Sequence, residues 1–158
     1  MTLRAAPLTA DAFAPFGEVI ETSGDFRLIN EGACRRFTDL ARLDIVDGRP
    51  GLSLFQAEIR SLPHDCTLLE RHPLGSQCFI PMQGGRYLVI VAPDQGGTPG
   101  IARAFVAEGH QCVNIARNTW HGVLCPIAGS GLFAVIDRIG AGGNLEEHSL
   151  GRPIRVTL

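Results

Sequence analysis

The stretch "LERHPLGSQCFIPMQGG", residues 69–85, combines a group of polar side chains with a turn and an apolar segment. In a β-strand, side chains two positions apart point to the same face, so Glu70 and His72 project together while Arg71 points to the other face. The Pro-Leu-Gly sequence that follows is typical of a tight turn. Gln77 then begins the returning strand, where we expect it to lie opposite the pair.

A second segment, "NIARNTWHGVLC" at 114–125, places His121 at the end of a loop. The combined spacing, E-x-H-x4-Q-x6-G followed by G-x6-A-x-N-x2-H, follows the two-part pattern of the cupin superfamily, in which H-x-H-x4-E-x6-G and P-x-G-x2-H supply metal ligands. Glu70 stands at the first His of that pattern, and Gln77 stands at its Glu. Two imidazoles, a carboxylate and an amide still suit a divalent transition ion of intermediate softness. The predicted metal ligands are Glu70, His72, Gln77 and His121.

Short β-prone segments recur between turn signals along the whole chain, and about ten strands at this spacing indicate an all-β sandwich or barrel. These segments are "FGEVI", "LSLFQAEI", "DCTLLER", "SQCFIPM", "RYLVIVA", "ARAFVA", "QCVNI", "GVLC", "LFAVIDR" and "IRVTL". Helix signals are few: "LTADAF", with Thr9 as N-cap, and part of "CRRFTDLARLDI". "APDQGGTPG" and "GAGGNLEE" are predicted loops.

Length and composition restrict the class of protein. A chain of 158 residues is the size of one domain, and we treat 1–158 as a single domain. The net charge of −2 has both signs scattered along the chain, so neither a nucleic-acid partner nor a membrane surface is expected. The five cysteines are odd in number and include no C-x-x-C pair, which favours free thiols. We expect a cytoplasmic protein.

Four segments together carry a resemblance to a known family: "ERHPLGSQCFIPM", "RNTWHGVL", "LINEGACRRFTDL" and "AVIDR". In this order they resemble the ureidoglycolate lyases, also called ureidoglycolate hydrolases. The resemblance runs from "APFGEVIE" near the start to "NLEE" near the end, so it covers nearly the whole chain.

This resemblance implies a cupin-like double-stranded β-helix, or jelly-roll barrel, with one or two short helices. It also implies a homodimer that cleaves (S)-ureidoglycolate to glyoxylate and urea in the allantoin branch of purine catabolism. A divalent metal is implied as a possible cofactor, nickel in some descriptions of the family, and no organic cofactor is expected.

The reaction gives roles to the candidate residues. Glu70, His72 and His121 are the predicted catalytic residues, which either hold an ion together with Gln77 or contact the substrate directly and move a proton. A substrate carboxylate favours arginine, whose planar fork binds it in two places. The predicted substrate-binding residues are Asn30, Arg36, Gln77 and Arg138.

Two other readings fit part of the pattern. Another metal-dependent cupin enzyme, such as a dioxygenase or an epimerase, fits the ligand spacing but not the three other segments. A non-catalytic cupin that binds a small molecule belongs to a different class, and its mark is tight binding without turnover.

Overall fold

The computed structural model describes residues 1–158, almost all of them in strands or the turns between strands. A single α-helix, α1 (Ala10–Phe13), and one 3-10 turn at Asn30–Gly32 complete the fold. The strands in chain order are β1 (Thr2–Arg4), β2 (Ala6–Pro7), β3 (Gly17–Ile20), β4 (Arg27–Ile29), β5 (Cys34–Arg36), β6 (Arg49–Gln56), β7 (His64–Arg71), β8 (Gln77–Pro81), β9 (Tyr87–Ala92), β10 (Arg103–Ala107), β11 (Cys112–Ile115), β12 (Trp120–His121), β13 (Cys125–Pro126), β14 (Leu132–Ile139) and β15 (Glu146–Thr157).

The strands form two main sheets. The larger has the order β1-β15-β7-β12-β9-β10-β2, with β13 also paired to β9, and the smaller has the order β3-β11-β8-β14-β6. The short strands β1 and β2 pair with β15 and β10 at opposite edges of the larger sheet, and only Ala5 separates them. The N-terminal segment therefore brings the two edges together, and the larger sheet nearly closes into a barrel. This confirms the predicted cupin-like, mainly β architecture.

Strand β9 explains how the two sheets share their apolar cores. Its sequence "YLVIVA" is buried at every position, as predicted for a strand covered on both faces. Tyr87, Val89 and Val91 belong to the core cluster that includes residues of the smaller sheet. The alternate residues of β9 belong to a second cluster within the larger sheet. The two-residue period of the strand thus divides its side chains between two cores.

The predicted helix near the N-terminus is confirmed as α1. The side-chain oxygen of Thr9 accepts a hydrogen bond from the Ala12 backbone N–H at 3.3 Å, which caps the first turn. Phe13 at the end of the helix is fully buried, and its ring lies 5.8 Å from that of Phe105 at a steep angle. This aromatic contact holds a helix too short to be stable alone. No helix in the structure is both long and apolar enough to cross a membrane.

Three local predictions need correction. The segment at 34–45 is not helical; pairing with β4 draws Cys34–Arg36 into β5, and the rest has no regular structure. "GVLC" is not a continuous strand, since β12 ends at His121 and β13 starts at Cys125. "GAGGNLEE" is a loop only as far as Leu145, after which pairing with β7 draws Glu146 and Glu147 into β15.

Candidate active site

Glu70, His72 and His121 meet at the ends of two neighbouring strands. Glu70 lies near the end of β7, His72 follows the last residue of that strand, and His121 pairs directly with Glu70 across the β7–β12 ladder. One potential ligand atom from each residue lies within 4.8 Å of the others. The imidazole centroids of the two histidines are 5.2 Å apart. The three side chains therefore form a cluster able to hold a metal ion.

Hydrogen bonds to the backbone fix the protonation pattern of both imidazoles. His72 Nδ1 lies 2.7 Å from the Asn144 carbonyl oxygen, and His121 Nδ1 lies 3.0 Å from the Gly122 carbonyl oxygen. A carbonyl oxygen can only accept, so each Nδ1 carries the hydrogen, and in the neutral ring the lone pair is then on Nε2. Both Nε2 atoms are buried without a hydrogen-bond partner. This arrangement is typical of a histidine prepared to bind a metal.

Burial sets the charge of the cluster. It lowers the pKa of His121 to about 4, and the neighbouring His72 acts in the same direction, so His121 is neutral at pH 7. His121 Nδ1 and Glu70 Oε1 are 3.9 Å apart, but a neutral imidazole makes no ion pair there. Burial also raises the pKa of Glu70; His72 opposes this shift, and Glu147 adds to it. The site thus holds one carboxyl group beside a neutral imidazole.

Gln77 lies on the facing sheet. The turn after His72 does not form the hairpin expected from the sequence, because β7 and β8 belong to different sheets and the turn crosses between them. Gln77 and Phe79 lie on the same face of β8, and Phe79 is part of the core between the sheets. The Gln77 amide nitrogen donates to Asp137 Oδ2 at 3.3 Å, and its Oε1 is buried without a partner.

Three buried polar atoms of the predicted ligand residues therefore have no partner within the chain: His72 Nε2, His121 Nε2 and Gln77 Oε1. Leaving a buried polar group unpaired costs about 1–3 kcal/mol each. Two imidazole nitrogens, which bind divalent transition ions well, and one amide oxygen, which binds them more weakly, fit a ligand set that a cation completes. The residues present thus fit the metal that the sequence pattern predicts.

An open cleft of about 510 Å³ gives access to Glu70 from the surface. Its wall also includes Phe55, Arg60 and Leu124. The Phe55 ring packs edge-on against Phe79 at 6.4 Å, and Phe79 in turn contacts the His121 ring at 6.5 Å. The cleft therefore has a carboxylate, a guanidinium and an apolar wall, and this wall leads to the histidine pair.

The structure corrects the prediction that Arg138 binds a carboxylate with its planar fork. Arg138 is buried; its Nε donates to the Val46 carbonyl at 2.7 Å, and its Nη2 donates to the carbonyls of Asp47 and Ala141 at 2.6 and 2.7 Å. These bonds use both Nη2 hydrogens and the Nε hydrogen, so neither bidentate edge of the guanidinium is free. Gly75 is required beside it, since a Cβ there would lie 2.8 Å from Arg138 Cβ.

Asn30 and Arg36 lie apart from the cleft. Asn30 begins the 3-10 turn between β4 and β5, and Arg36 ends β5; these two strands form a small sheet of their own. Both residues are exposed, and neither lines the cleft that contains Glu70. The structure therefore unites Glu70, His72 and His121, places Gln77 on the facing sheet with its amide oxygen buried, and leaves Asn30 and Arg36 on the surface.

The sequence did not predict a role for three residues that lie near the site. Arg60 lines the cleft, Asp137 accepts the Gln77 amide, and Asn144 accepts hydrogen bonds from the segment that carries His72. Asp137 lies within "AVIDR" and Asn144 within "NLEE". Both segments belong to the family resemblance, but the resemblance gave neither residue a role. No feature of the sequence around Arg60 distinguishes it from the other thirteen arginines.

Comparison with known proteins identifies the family. A family model described as "Ureidoglycolate lyase" matches residues 1–157. The chain belongs to the ureidoglycolate lyase family. Among its relatives, a protein of Rhodobacter capsulatus named ureidoglycolate lyase is 56% identical over 152 residues, covering 95% of this chain and 94% of the relative. A ureidoglycolate lyase of Chelativorans sp. is 47% identical, covering 98% of this chain and 95% of that protein.

A third relative, ureidoglycolate lyase 2 of Rhizobium meliloti, is 48% identical over 95% of this chain and 94% of its own length. Each of these three matches thus extends along nearly the full length of this chain and of the relative. It favours a lyase over the dioxygenase, epimerase and binding-protein readings, which the ligand spacing alone left open.

Proposed function

We propose that the protein is a ureidoglycolate lyase that cleaves (S)-ureidoglycolate to glyoxylate and urea in allantoin catabolism. The observation that carries the proposal is the family match over residues 1–157, together with the cluster of Glu70, His72 and His121 inside the barrel. Neither part suffices alone, because one barrel supports many chemistries.

The reaction needs few catalytic groups. Ureidoglycolate carries a hydroxyl, a carboxylate and the ureido nitrogen on one carbon. Its hydroxyl loses a proton, the carbon–oxygen bond becomes a double bond, and the carbon–nitrogen bond breaks as the leaving nitrogen gains a proton. No water is consumed. The site must therefore move one proton and stabilise negative charge on the hydroxyl oxygen.

The ligand set proposed for the cation is His72, His121, Gln77 and Glu70, with nickel as the ion to test first. When bound, a divalent cation supplies Lewis-acid stabilisation of a developing alkoxide. The chain itself supplies two oriented Nε2 lone pairs and one oriented amide oxygen. Because Asp137 holds the Gln77 amide nitrogen, the amide oxygen is turned away from that carboxylate.

Of the four residues, Glu70 is the one that we assign to proton transfer, in the state in which it does not bind the ion. It is the one carboxyl group of the cluster, it lines the cleft through which a substrate arrives, and it lies opposite His121 on the adjoining strand. A carboxylate in this position can accept the hydroxyl proton and return it to the ureido nitrogen.

Substrate binding needs a positively charged side chain to pair with the carboxylate of ureidoglycolate. Arg60 shares the cleft with Glu70, its side chain is about half exposed, and its nearest acidic group is Glu58 at 4.0 Å. We assign the carboxylate to Arg60. The candidates Asn30 and Arg36 stay predictions. An Arg36→Ala variant tests the arginine: an unchanged KM would remove Arg36 from the substrate site.

The test is a product assay on the purified protein before and after chelator treatment, with urea and ammonia measured separately. We expect urea without ammonia, loss of activity after chelation, and recovery on addition of Ni²⁺. Urea release that survives rigorous metal removal would assign the four residues to direct acid, base and binding roles. No urea above the uncatalysed rate would contradict the proposed reaction.

We further propose that the chain forms a cytoplasmic homodimer of a single domain, 1–158. In support, the edge strand β6 carries two exposed leucines on one face, Leu52 at 72% and Leu54 at 65% exposure. An apolar edge strand of this kind needs covering. Light scattering is expected to give twice the 16.9 kDa chain mass, and the Leu52→Arg, Leu54→Arg double variant is expected to be monomeric.

A further inference from the structure

The loop between β14 and β15 contacts the turn that follows β7 through a single residue, Asn144. Its backbone carbonyl accepts the hydrogen bond from His72 Nδ1 at 2.7 Å. Its side-chain Oδ1 accepts a hydrogen bond from the Leu74 backbone N–H at 2.6 Å. One residue thus holds both the imidazole ring and the backbone two positions further along.

The first of these bonds decides which nitrogen of the imidazole ring has a free lone pair. Since the Asn144 carbonyl can only accept, it selects the His72 tautomer with hydrogen on Nδ1 and the lone pair on Nε2. The second bond holds the turn at the distance where the first can form. Without the side-chain bond, the Asn144 carbonyl is held less firmly against His72, and the orientation of the ring is less fixed.

The loop is also anchored at its other end. Arg138 donates to the Ala141 carbonyl in the same loop and to the Val46 carbonyl. Val46 in turn donates its backbone N–H to the Leu74 carbonyl at 2.9 Å. Arg138 therefore connects the loop to the same turn by a second route. These two connections, through Asn144 and through Arg138, form the frame around His72, and both lie within one chain.

We infer that Asn144 is a positioning residue for the reaction, which fixes the tautomer and orientation of His72 through its carbonyl and its side chain. The inference rests on the proposed function in that His72 acts in the active site. Residues in such supporting positions typically change metal affinity or activity by about 10–100-fold when replaced.

The test compares Asn144→Ala with Asn144→Asp. The aspartate keeps an oxygen acceptor for Leu74 N–H, whereas alanine removes it. For Asn144→Ala we expect Ni²⁺ affinity and kcat/KM for urea release to fall by about 10–100-fold. We expect Asn144→Asp to remain within a few-fold of the native protein. Rescue by aspartate separates positioning from a general loss of structure.

A matched control comes from Ser130, whose hydroxyl oxygen accepts a hydrogen bond from the Leu132 backbone N–H at 3.2 Å in another loop. Ser130→Ala removes a bond of the same kind, so its Ni²⁺ affinity and kcat/KM are expected to stay native. If this control falls as far as Asn144→Ala, the loss is not specific to the frame around His72, and the inference is overturned.

Imidazole ¹⁵N NMR of the metal-free native protein supplies a readout independent of activity and of any variant's folding. His72 is expected as a single tautomer protonated at Nδ1, and the Asn144→Ala protein as a mixture. A native His72 protonated at Nε2 would overturn the inference. So would a folded Asn144→Ala protein with native tautomer, Ni²⁺ affinity and kcat/KM. If the native protein releases no urea, the proposed reaction fails, while the spectrum still decides the positioning role.

Discussion

Glu70 and Arg71 are neighbours on β7, yet their side chains meet different surroundings on the two faces of the sheet. On the inner face, Glu70 makes no hydrogen bond of its own and lies among imidazole atoms that have no partner. On the other face, Arg71 donates to Asp94 at 2.7 Å and to Glu146 at 2.6 and 2.7 Å. Its guanidinium also lies 4.8 Å from the centre of the Trp120 ring.

The difference between these faces teaches how to recognise a functional polar group. Arg71 is a charged residue that is slightly more buried than Glu70, with 13% against 19% side-chain exposure, but each of its interactions ends within the chain. Trp120 completes that network by donating its indole N–H to Asp94 at 2.9 Å. A satisfied network stabilises the joint between strands, whereas unpaired buried atoms indicate a missing ligand. The polarity of a residue alone does not show whether the residue belongs to a structural network or to a ligand site.

The largest effect that tests this comparison is expected from Glu70→Gln. The amide is nearly the same size but cannot serve as a base, so kcat should fall by about 10²–10⁴-fold. The Tm should stay the same or rise, because the variant removes a carboxyl group whose ionisation burial disfavours. Urea release and thermal melting measure the two effects. A native kcat would remove Glu70 from the proton-transfer role.

The next effect is expected from Arg71→Met on the opposite face. Methionine fills part of the same space but leaves Asp94 and Glu146 without their cation, so the Tm should fall by several degrees. The kcat per folded molecule should change much less than in Glu70→Gln. A variant that lost activity while keeping its Tm would reverse the assignment of the two faces.

The smallest effect concerns His64, at the opposite end of β7 from the site. Burial lowers its pKa, Arg60 adds to the shift, and Asp65 opposes it. Because the unfolded chain then binds the proton more readily, His64 lowers stability as the pH falls below its unfolded pKa of about 6.5. The Tm of His64→Asn should therefore fall less between pH 7.5 and 5.5 than that of the native protein. Equal slopes would contradict this account.

The local parts of the site followed from the sequence. The two-residue period of a strand placed Glu70 and His72 on one face. The apolar run of β9 identified a strand buried on both sides. The prediction of a helix at 34–45 was wrong because a short apolar pattern does not decide between helix and irregular structure.

The sequence by itself determined the β-rich class and the pairing of Glu70 with His72, because each depends on neighbours a few residues apart. Only the tertiary structure decided that Gln77 lies on a facing sheet, that Arg138 binds loop carbonyls, and that the Asn144 carbonyl accepts a hydrogen bond from His72. Asn144 and His72 are 72 positions apart, and their contact depends on the order of strands in the sheets. Hydrogen-bond partners at such separation are chosen by the whole fold, so a local pattern cannot specify them.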